Sequence, residues 1–265
     1  GFVMYWNEPI FVFDAFSIKA NQEIVLPRYI YHFLLSIQSQ IHDLKSGGGV
    51  PHVYAKDVAR FKIPIPPLHI QQEIVAILDK FTELTAELTA ELTARKKQYD
   101  YYREQLLSVD DKGLMNGVKA EWKTLGEVVI FQRGKRLVKS QLEETGKYAV
   151  YQNAMTPLGY YHESNVKANS TFIICAGAAG EIGFSDVEYW AADDVHYCIT
   201  PENINNKYLY YFLQTQQNRI LSQVRRASVP RLSKSVLEKL KIPIPPLSEQ
   251  ERIVAILDKF DTLTT

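Results

Sequence analysis

The sequence contains little cysteine and has no long apolar stretch. Cys175 and Cys198 are the two cysteines among 265 residues. Both lie in apolar segments without the spacing of metal ligands, and we interpret them as buried free thiols in a reducing compartment. No run of about 20 apolar residues is present, which excludes a membrane-spanning helix, and no signal peptide opens the chain. We therefore expect a cytoplasmic protein without membrane contact.

The chain also lacks an overall excess of either charge. Its formal net charge is +0, with 46% hydrophobic and 23% charged residues, which is typical of a globular protein with about two domains. The charge is nevertheless uneven, because residues 205–247 contain eight basic residues and one acidic residue, Glu238. A surface that faces phosphates needs such a local excess of positive charge.

An internal repeat is the main pattern. The segment Lys-Ile-Pro-Ile-Pro-Pro-Leu occurs at 62–68 and again at 241–247, and Ile-Val-Ala-Ile-Leu-Asp-Lys-Phe occurs at 74–81 and 253–260, an offset of 179 residues in both cases. This period is too long for a solenoid unit and predicts two copies of a domain-plus-helix module. The second copy begins near Trp122, so we expect the first to begin about 60 residues before Gly1. A strand-like run at Phe2–Trp6 agrees with a window cut from a longer protein.

A long amphipathic helix is predicted from Gln71 to just before Asp110, about 36 residues and about 55 Å. One face carries the proposed interface residues Leu84, Leu88, Leu92, Tyr99 and Tyr102. A helix of this length needs a partner, most simply its own repeat copy running antiparallel. Tandem Thr-Ala-Glu-Leu units begin at Thr85 and Thr89, and each adds about 6 Å and about 40° of rotation.

Residues 121–247 predict a mixed α/β domain. The strand-like runs are 128–131, 148–151, 171–175 and 197–199, and the helix-like runs are 207–222 and 233–240. Ser233 is the expected N-cap of the second helix. Ser248 and Glu251 form a capping-box pair at the start of the last helix.

A Pro-rich stretch, Ile-Pro-Ile-Pro-Pro-Leu, occurs twice, and each copy leads into an Ile-Val-Ala-Ile-Leu-Asp helix. This doubled pattern resembles the domain–helix junction of the specificity subunits of type I restriction–modification enzymes. Residues 95–107 resemble the end of that family's central conserved helix, and the tandem tetrapeptides resemble the spacer repeats of one subgroup. The resemblance implies the C-terminal part of a first α/β (α+β) recognition domain at residues 1–68, a spacer helix at 69–110, a second recognition domain at 111–247 and the start of a second conserved helix at 248–265.

The resemblance also implies a non-catalytic subunit in a prokaryotic cytoplasm. Each recognition domain would read half of a bipartite site on double-stranded DNA, while the antiparallel coiled-coil helices set the gap between the halves. Two modification subunits would methylate adenine, and restriction motor subunits would complete the enzyme. These partners would bind S-adenosylmethionine, ATP and Mg, so we expect no cofactor on this chain. Self-association through the exposed helix is a further expectation.

Polar and basic residues at strand ends and in loops are candidate DNA contacts, because arginine pairs with guanine edges and phosphates, and glutamine or asparagine with adenine edges. In the second module they are Arg133, Lys135, Arg136, Gln152, Asn153, Arg225, Arg226, Ser228, Arg231 and Lys234. The loop at the matching position of the first module supplies Lys45, Ser46, His52, Tyr54 and Lys56. The alternatives are solvated surface turns, a structural Gln152, and arginines paired with nearby carboxylates.

The other interpretations are weaker. A stand-alone adenine methyltransferase needs an Asn/Asp-Pro-Pro-aromatic motif, whereas each Pro-Pro here is followed by leucine (Leu68, Leu247). The glycines at 177, 180 and 183 lack the first spacing of a nucleotide-binding fingerprint, and we assign Asp193, Asp194 and His196 structural roles. A coiled-coil scaffold would leave the basic loops unexplained, and an orphan DNA-binding half-subunit remains the main alternative.

Overall fold

Two structural units make up the chain, Gly1–Thr93 and Ala94–Thr265. The computed structural model describes residues 1–47 and 50–264. Over those residues, no helix combines the length and the apolar character that crossing a bilayer requires. The finer division predicted at residues 68, 110 and 247 stays a prediction.

The first unit is helical. Its elements are α1 (Pro27–Ser36), α2 (Gln38–Asp43), α3 (Ala55–Val58) and the beginning of α4 (Leu68–Leu106). Pro27 opens α1, where its fixed φ suits a first helical residue. Leu34, Ile41 and Val58 form the small core of this unit.

The prediction of a strand at Phe2–Trp6 is wrong. This run is irregular, and the Phe2 side chain is 82% exposed. A β-strand requires a hydrogen-bonded neighbour, and none of the described residues of this unit pairs with the run. The high β propensity of residues 2–6 is therefore not sufficient to form a strand, because no neighbouring strand is present among the described residues of this unit.

Helix α4 is 39 residues long, which corresponds to about 58 Å, so the predicted long helix is confirmed with a start three residues earlier. The Pro67 carbonyl accepts hydrogen bonds from the amides of Ile70 and Gln71, which fixes the first turn. The tandem tetrapeptides are helical throughout, and each of their threonine hydroxyls donates to the carbonyl four residues earlier at 2.7–2.8 Å. Leu84, Leu88 and Leu92 are exposed on this helix.

The second unit is built around two sheets. A hairpin of β1 (Leu114–Met115) and β2 (Val118–Lys119) comes first, followed by β3 (Glu121–Thr124) and the short helix α5 (Leu125–Val128). Strands β4 (Ile130–Arg133), β7 (Ser170–Ile174), β8 (Ile182–Ser185) and β10 (Val195–Ile199) form an antiparallel sheet in the order β4-β10-β7-β8. Strands β5 (Tyr148–Tyr151), β6 (Gly159–Tyr161) and β9 (Trp190–Ala191) form a second sheet in the order β6-β5-β9.

The four-stranded sheet is covered on both faces. All five residues of β7 are buried, and their side chains alternate between two clusters, as the twofold period of a strand requires. Ile173 packs into the large cluster that includes Leu209 of the helical side, whereas Phe172 and Ile174 pack with Tyr189 in a smaller cluster. The sheet is therefore rigidly held at its centre.

Helices close the second unit. They are α6 (Asn206–Thr215), α7 (Gln217–Ser222), α8 (Lys234–Glu238) and, after strand β11 (Lys241–Ile244), α9 (Leu247–Thr264). β11 pairs antiparallel with β3. The single helix predicted at 207–222 is broken at Gln216, and the strand predicted at 128–131 loses its first residue to α5. Ser233 caps α8 as predicted, accepting from the Ser235 amide, but Ser248 lies inside α9, so its predicted role as an N-cap is wrong.

The last part of α4 and helix α9 run antiparallel. The Tyr102 ring stacks on Phe260 at 5.5 Å, and the Tyr99 ring lies 6.4 Å from the same residue. At the other end, the Asn116 amide donates both to the Leu106 carbonyl and to Glu249. A step forward along α4 from Tyr102 to Leu106 therefore corresponds to a step back along α9 from Phe260 to Glu249, which confirms the predicted antiparallel arrangement for this stretch.

The 179-residue repeat extends to individual hydrogen bonds. In the first unit, the buried Gln71 side chain accepts from the Leu26 amide and donates to the carbonyls of Ile24 and Pro66. In the second unit, Gln250 makes the same three bonds, to Asn205, Asn203 and Pro245. We call each set a glutamine clamp. It fastens the chain before the first helix of each module to the start of the module's long helix.

Two further contacts recur with this offset. The Tyr29 hydroxyl donates to the Pro64 carbonyl at 3.0 Å, and the Tyr208 hydroxyl donates to Pro243 at 2.6 Å. A carboxylate then joins the helices of each module: Asp79 contacts Arg28 and His32 in the first, and Asp258 contacts Lys207 and Tyr211 in the second. The two copies therefore share one internal design although their side chains differ.

Candidate nucleic-acid interface

Residues 133–136 are held against the turn that precedes β10. The Gly134 amide donates to the Val195 carbonyl, and the Lys135 amide donates to Ala191. A Cβ on Gly134 would lie 2.3 Å from the carbonyl oxygens of Ala191 and Ala192, so only glycine permits this approach. The backbone thereby presents the side chains of residues 133, 135 and 136 at the end of β4.

Residues 152 and 153 are brought to the same end of the sheet. The Tyr151 carbonyl accepts from the Ala192 amide, and the Asn153 carbonyl accepts from the Ala178 amide, both at 2.9 Å. Gly177 has φ +81°, and a Cβ there would lie 2.7 Å from the Asn153 oxygen. This left-handed turn explains the glycine that the sequence places there.

The basic loop at 225–231 joins this assembly. Arg225 and Arg231 pair through two backbone hydrogen bonds, of 2.9 and 3.1 Å, and the Pro230 carbonyl accepts from the Gly177 amide. Leu232 then donates to the Cys175 carbonyl. The end of the loop is therefore fastened to the turn that follows β7, and its start is paired with that end.

The candidate DNA contacts of the second unit thus converge, from segments far apart in sequence, around the turns at 175–178 and 191–194. We call this region the basic rim. Gln152 is half-buried, and the other members are exposed: Arg133, Lys135, Arg136, Asn153, Arg225, Arg226, Ser228, Arg231 and Lys234. Their convergence is what a DNA-facing surface needs, whereas contact with DNA itself stays a prediction.

Most cations of the basic rim have no acidic partner. Arg133 donates to the Asp193 carbonyl at 2.7 Å and lies 3.8 Å from its carboxylate, and Lys234 pairs with Glu238 at 3.2 Å. Within residues 1–47 and 50–264, no carboxylate lies within ion-pair distance of the other five, which are Lys135, Arg136, Arg225, Arg226 and Arg231. The alternative that the loop arginines neutralise local acids is therefore wrong, and their charge faces solvent.

A cysteine and a histidine lie next to the basic rim. The His196 Nδ1 is 2.9 Å from the Cys175 sulfur. Burial raises the pKa of the Cys175 thiol to about 12, so it keeps its proton. Burial, and then the charges of Arg133 and Lys234, lower the pKa of His196. Both cysteines are buried and free, as predicted. The sequence offers no signal for this pair, because Cys175 directly follows β7 and His196, 21 residues later, lies on the neighbouring strand β10.

The matching loop of the first unit has the same backbone pairing. Ser46 and His52 form an antiparallel bridge, which lies 179 residues before the bridge of Arg225 and Arg231. His52 lies 3.4 Å from Asp14, and the Lys56 ammonium lies over the Tyr54 ring at 5.6 Å. Lys45 is exposed, while Gly48 and Gly49 of the predicted loop lie outside the described residues. The structural equivalence of the two loops is confirmed, and DNA contact by the first stays a prediction.

Known proteins share this sequence and fold. A type I restriction enzyme specificity subunit from Escherichia coli is 35% identical over 269 residues, covering 90% of this chain and 64% of the relative. A putative type I restriction enzyme specificity subunit from Haemophilus influenzae is also 35% identical over 269 residues, covering 89% of this chain and 65% of the relative. The chain thus spans slightly less than two thirds of the length of these two relatives.

Solved structures agree on the fold. The crystal structure of the S subunit of a type I restriction-modification system from M. genitalium superposes with a TM-score of 0.65 at 24% identity, covering 89% of this chain and 67% of that one. The HsdS subunit from Thermoanaerobacter tengcongensis gives 0.52 at 23% identity, with 93% and 65% covered. The α+β class predicted from the sequence is therefore confirmed. A model of the type I restriction modification DNA specificity domain matches residues 1–95 and 118–265, and the chain therefore belongs to that family.

Proposed function

We propose that this chain reads DNA sequence for a type I restriction–modification complex and performs no chemistry itself. The observation that carries the proposal is the basic rim, where two amide side chains and five cations that have no acidic partner among the described residues meet on one rigid sheet end. Lysine and arginine there supply phosphate contacts, while Gln152, Asn153 and the arginines supply groups that discriminate base edges. Membership of the specificity family supports the same conclusion.

The duplicated loop supports recognition of a bipartite site. Each module carries the same bridge and the same glutamine clamp, so each recognition surface is fastened in the same way to the start of a long helix. We infer that the first unit holds part of one recognition domain and the second unit a whole one. The two would read separate half-sites.

The tandem Thr-Ala-Glu-Leu units place the chain, in this proposal, in the subgroup whose spacer helix sets the gap between half-sites. One more unit inserted after Leu92 adds about 6 Å, close to two base-pair rises. The expected result is a gap about two base pairs longer with both half-sites unchanged. An unchanged gap, or altered half-sites, would contradict the proposal that the length of the spacer helix sets the gap.

The exposed face of α4 supports docking of other chains. Leu84, Leu88, Leu92 and Tyr102 are exposed apolar residues on this helix, and such a row is typical of a helix with a partner. We propose two modification subunits and restriction motor subunits as partners, with S-adenosylmethionine, ATP and Mg bound by those subunits. Pairing of two copies of this chain through α4 is the competing use of the same face.

Genome-wide mapping of adenine methylation in the source cell, with and without the gene, tests the proposal. Deletion should remove methylation from one gapped motif, and the double variant Arg225→Glu/Arg226→Glu should do the same. Lys167→Glu, which reverses an exposed cation outside the basic rim, is the matched control and should leave the map intact. If deletion leaves methylation untouched, the orphan DNA-binding and scaffold readings replace this one.

A further inference from the structure

His196 has a place in the basic rim that the proposed contacts do not use. Its Cα pairs with that of Arg133 on β4 and that of Ile173 on β7, and residues opposite each other in a sheet project on the same face. The Arg133 and Lys234 charges act on its ring from two different elements. A half-buried imidazole therefore lies beside one predicted phosphate contact, Arg133, and within the electrostatic reach of a second, Lys234.

The Cys175 thiol is the hydrogen-bond partner that can set the tautomer of this ring. The thiol has one proton and two acceptors in reach, His196 Nδ1 at 2.9 Å and the Ile173 carbonyl at 3.7 Å. The shorter distance favours donation to Nδ1. An imidazole that accepts at Nδ1 carries its own proton on Nε2, so Nε2–H is a donor. Across the described part of the chain, Nε2 has no hydrogen-bond partner.

We propose that His196 is a further DNA contact, and that its Nε2–H, held in that tautomer by the Cys175 thiol, donates to a phosphate oxygen between the contacts of Arg133 and Lys234. The inference rests on the proposed DNA-reading function. Phosphate is the expected acceptor because the two neighbouring cations favour an anion at this position. Cys175 acts through His196 and is a positioning residue.

The charged groups around His196 set the expected pH dependence. Arg133 and Lys234 lower its pKa in the free protein, while Glu238 opposes them, and the Cys175 thiol is neutral. A bound phosphate adds negative charge and raises the pKa of His196 in the complex. Protonation therefore favours binding, and the affinity should increase as the pH falls from 8 to 6.

Fluorescence anisotropy tests the proposal on two duplexes, one with the methylated motif from the mapping experiment and one with its bases scrambled. His196→Ala should weaken binding to both duplexes by the same factor, about tenfold for one hydrogen bond to a charged acceptor. His196→Gln should abolish the pH dependence that the wild type shows between pH 8 and 6. Cys175→Ala should weaken binding about threefold, and Cys175→Ser, which keeps a donor, should restore it. The matched control is His162→Ala, which replaces a histidine that directly follows β6 and lies outside the basic rim.

Each outcome separates the two proposals. If the wild type prefers the motif and His196→Ala binds within twofold of it, the His196 contact is wrong and the reading function stands. A loss confined to the motif duplex also overturns the phosphate contact, since it would indicate a base. If the wild type does not distinguish the duplexes, the reading function fails as well. Nitrogen-15 NMR measures the tautomer of His196 in the wild-type protein and so does not depend on a variant that folds. An Nδ1–H tautomer would overturn the proposal.

Discussion

The glutamine clamps predict a large and local loss of stability. Gln71 and Gln250 are fully buried, and each side chain makes three hydrogen bonds to backbone groups. Replacing Gln250 with alanine removes one acceptor and two donors and leaves the Asn205 amide and two carbonyls without partners. At about 1 kcal/mol for each bond, plus the cost of unpaired buried groups, unfolding should become about 3–5 kcal/mol easier.

Urea unfolding followed by tryptophan fluorescence measures this loss. Trp122 and Trp190 belong to the second unit and Trp6 to the first, so Gln250→Ala should shift the transition reported by the first pair and Gln71→Ala that reported by Trp6. Hydrogen exchange assigns the effect to single amides. The Asn205 amide should exchange faster in Gln250→Ala, and the Leu26 amide in Gln71→Ala, because each loses its acceptor.

Neighbouring variants control for the helix itself. Gln72→Ala and Glu251→Ala change exposed residues beside the clamps and should alter stability by less than about 0.5 kcal/mol. Gln250→Glu keeps the acceptor but places a carboxylate against two carbonyls, so it should be at least as harmful as alanine. A loss below about 1 kcal/mol for Gln250→Ala would refute the idea that the clamp fastens the module.

Two further predictions concern the same junctions. Tyr208→Phe leaves the Pro243 carbonyl without its buried donor and should cost about 1–2 kcal/mol in urea unfolding, more than Tyr29→Phe, whose bond to Pro64 is longer at 3.0 Å; equal losses would contradict this order. Glu249 has a pKa below its usual 4.5 because Arg252, and then Asn116, hydrogen-bond its carboxylate. The stability that this carboxylate contributes to the folded state is therefore present above pH 4.5 and is lost as the pH falls through the lower pKa of the folded protein. Thermal unfolding across pH 5 to 2 should therefore decline less steeply for Glu249→Gln than for the wild type, and parallel curves would exclude the effect.

The repeat predicted two copies of one module, and the fold keeps the spacing of the repeat. Helices α1 and α6, and likewise α2 and α7, have bounds that differ by the same 179 residues as the sequence motifs. Identical spacing carries this information because two copies of one segment meet the same physical constraints. The antiparallel pairing near Tyr99 followed from helix length alone, since a helix of about 58 Å needs a partner.

Helix ends and breaks were harder to predict. The break between α6 and α7 falls at Gln216, in a Thr-Gln-Gln-Asn stretch without the glycine or proline that usually marks one. Helix α9 begins at Leu247 because the Pro246 carbonyl accepts from the amides of Glu249 and Gln250. Backbone geometry after the proline pair therefore outweighed the capping residues that the sequence offers at Ser248.

The candidate site was predicted as separate segments and not as a whole. Each basic or amide segment was identified from composition, but their convergence depends on strand register, which one sequence does not specify. The pairing of His196 with Cys175 depends on the same register and was missed. Gly134 and Gly177 were the available signals, because a glycine between functional residues indicates a close backbone approach.

Under the proposed function, the junction contacts have a consequence for how the recognition domains diversify. Both glutamine clamps and both tyrosine hydroxyls bond to peptide groups: carbonyls, which every amino acid supplies, and amides, which every amino acid except proline supplies. The helix is thus attached to the backbone of the domain, and this attachment depends little on which side chains the domain carries. A recognition domain exchanged through recombination within the repeated Ile-Pro-Ile-Pro-Pro-Leu segment would meet the same attachment points, so new binding preferences can be acquired without redesign of the support.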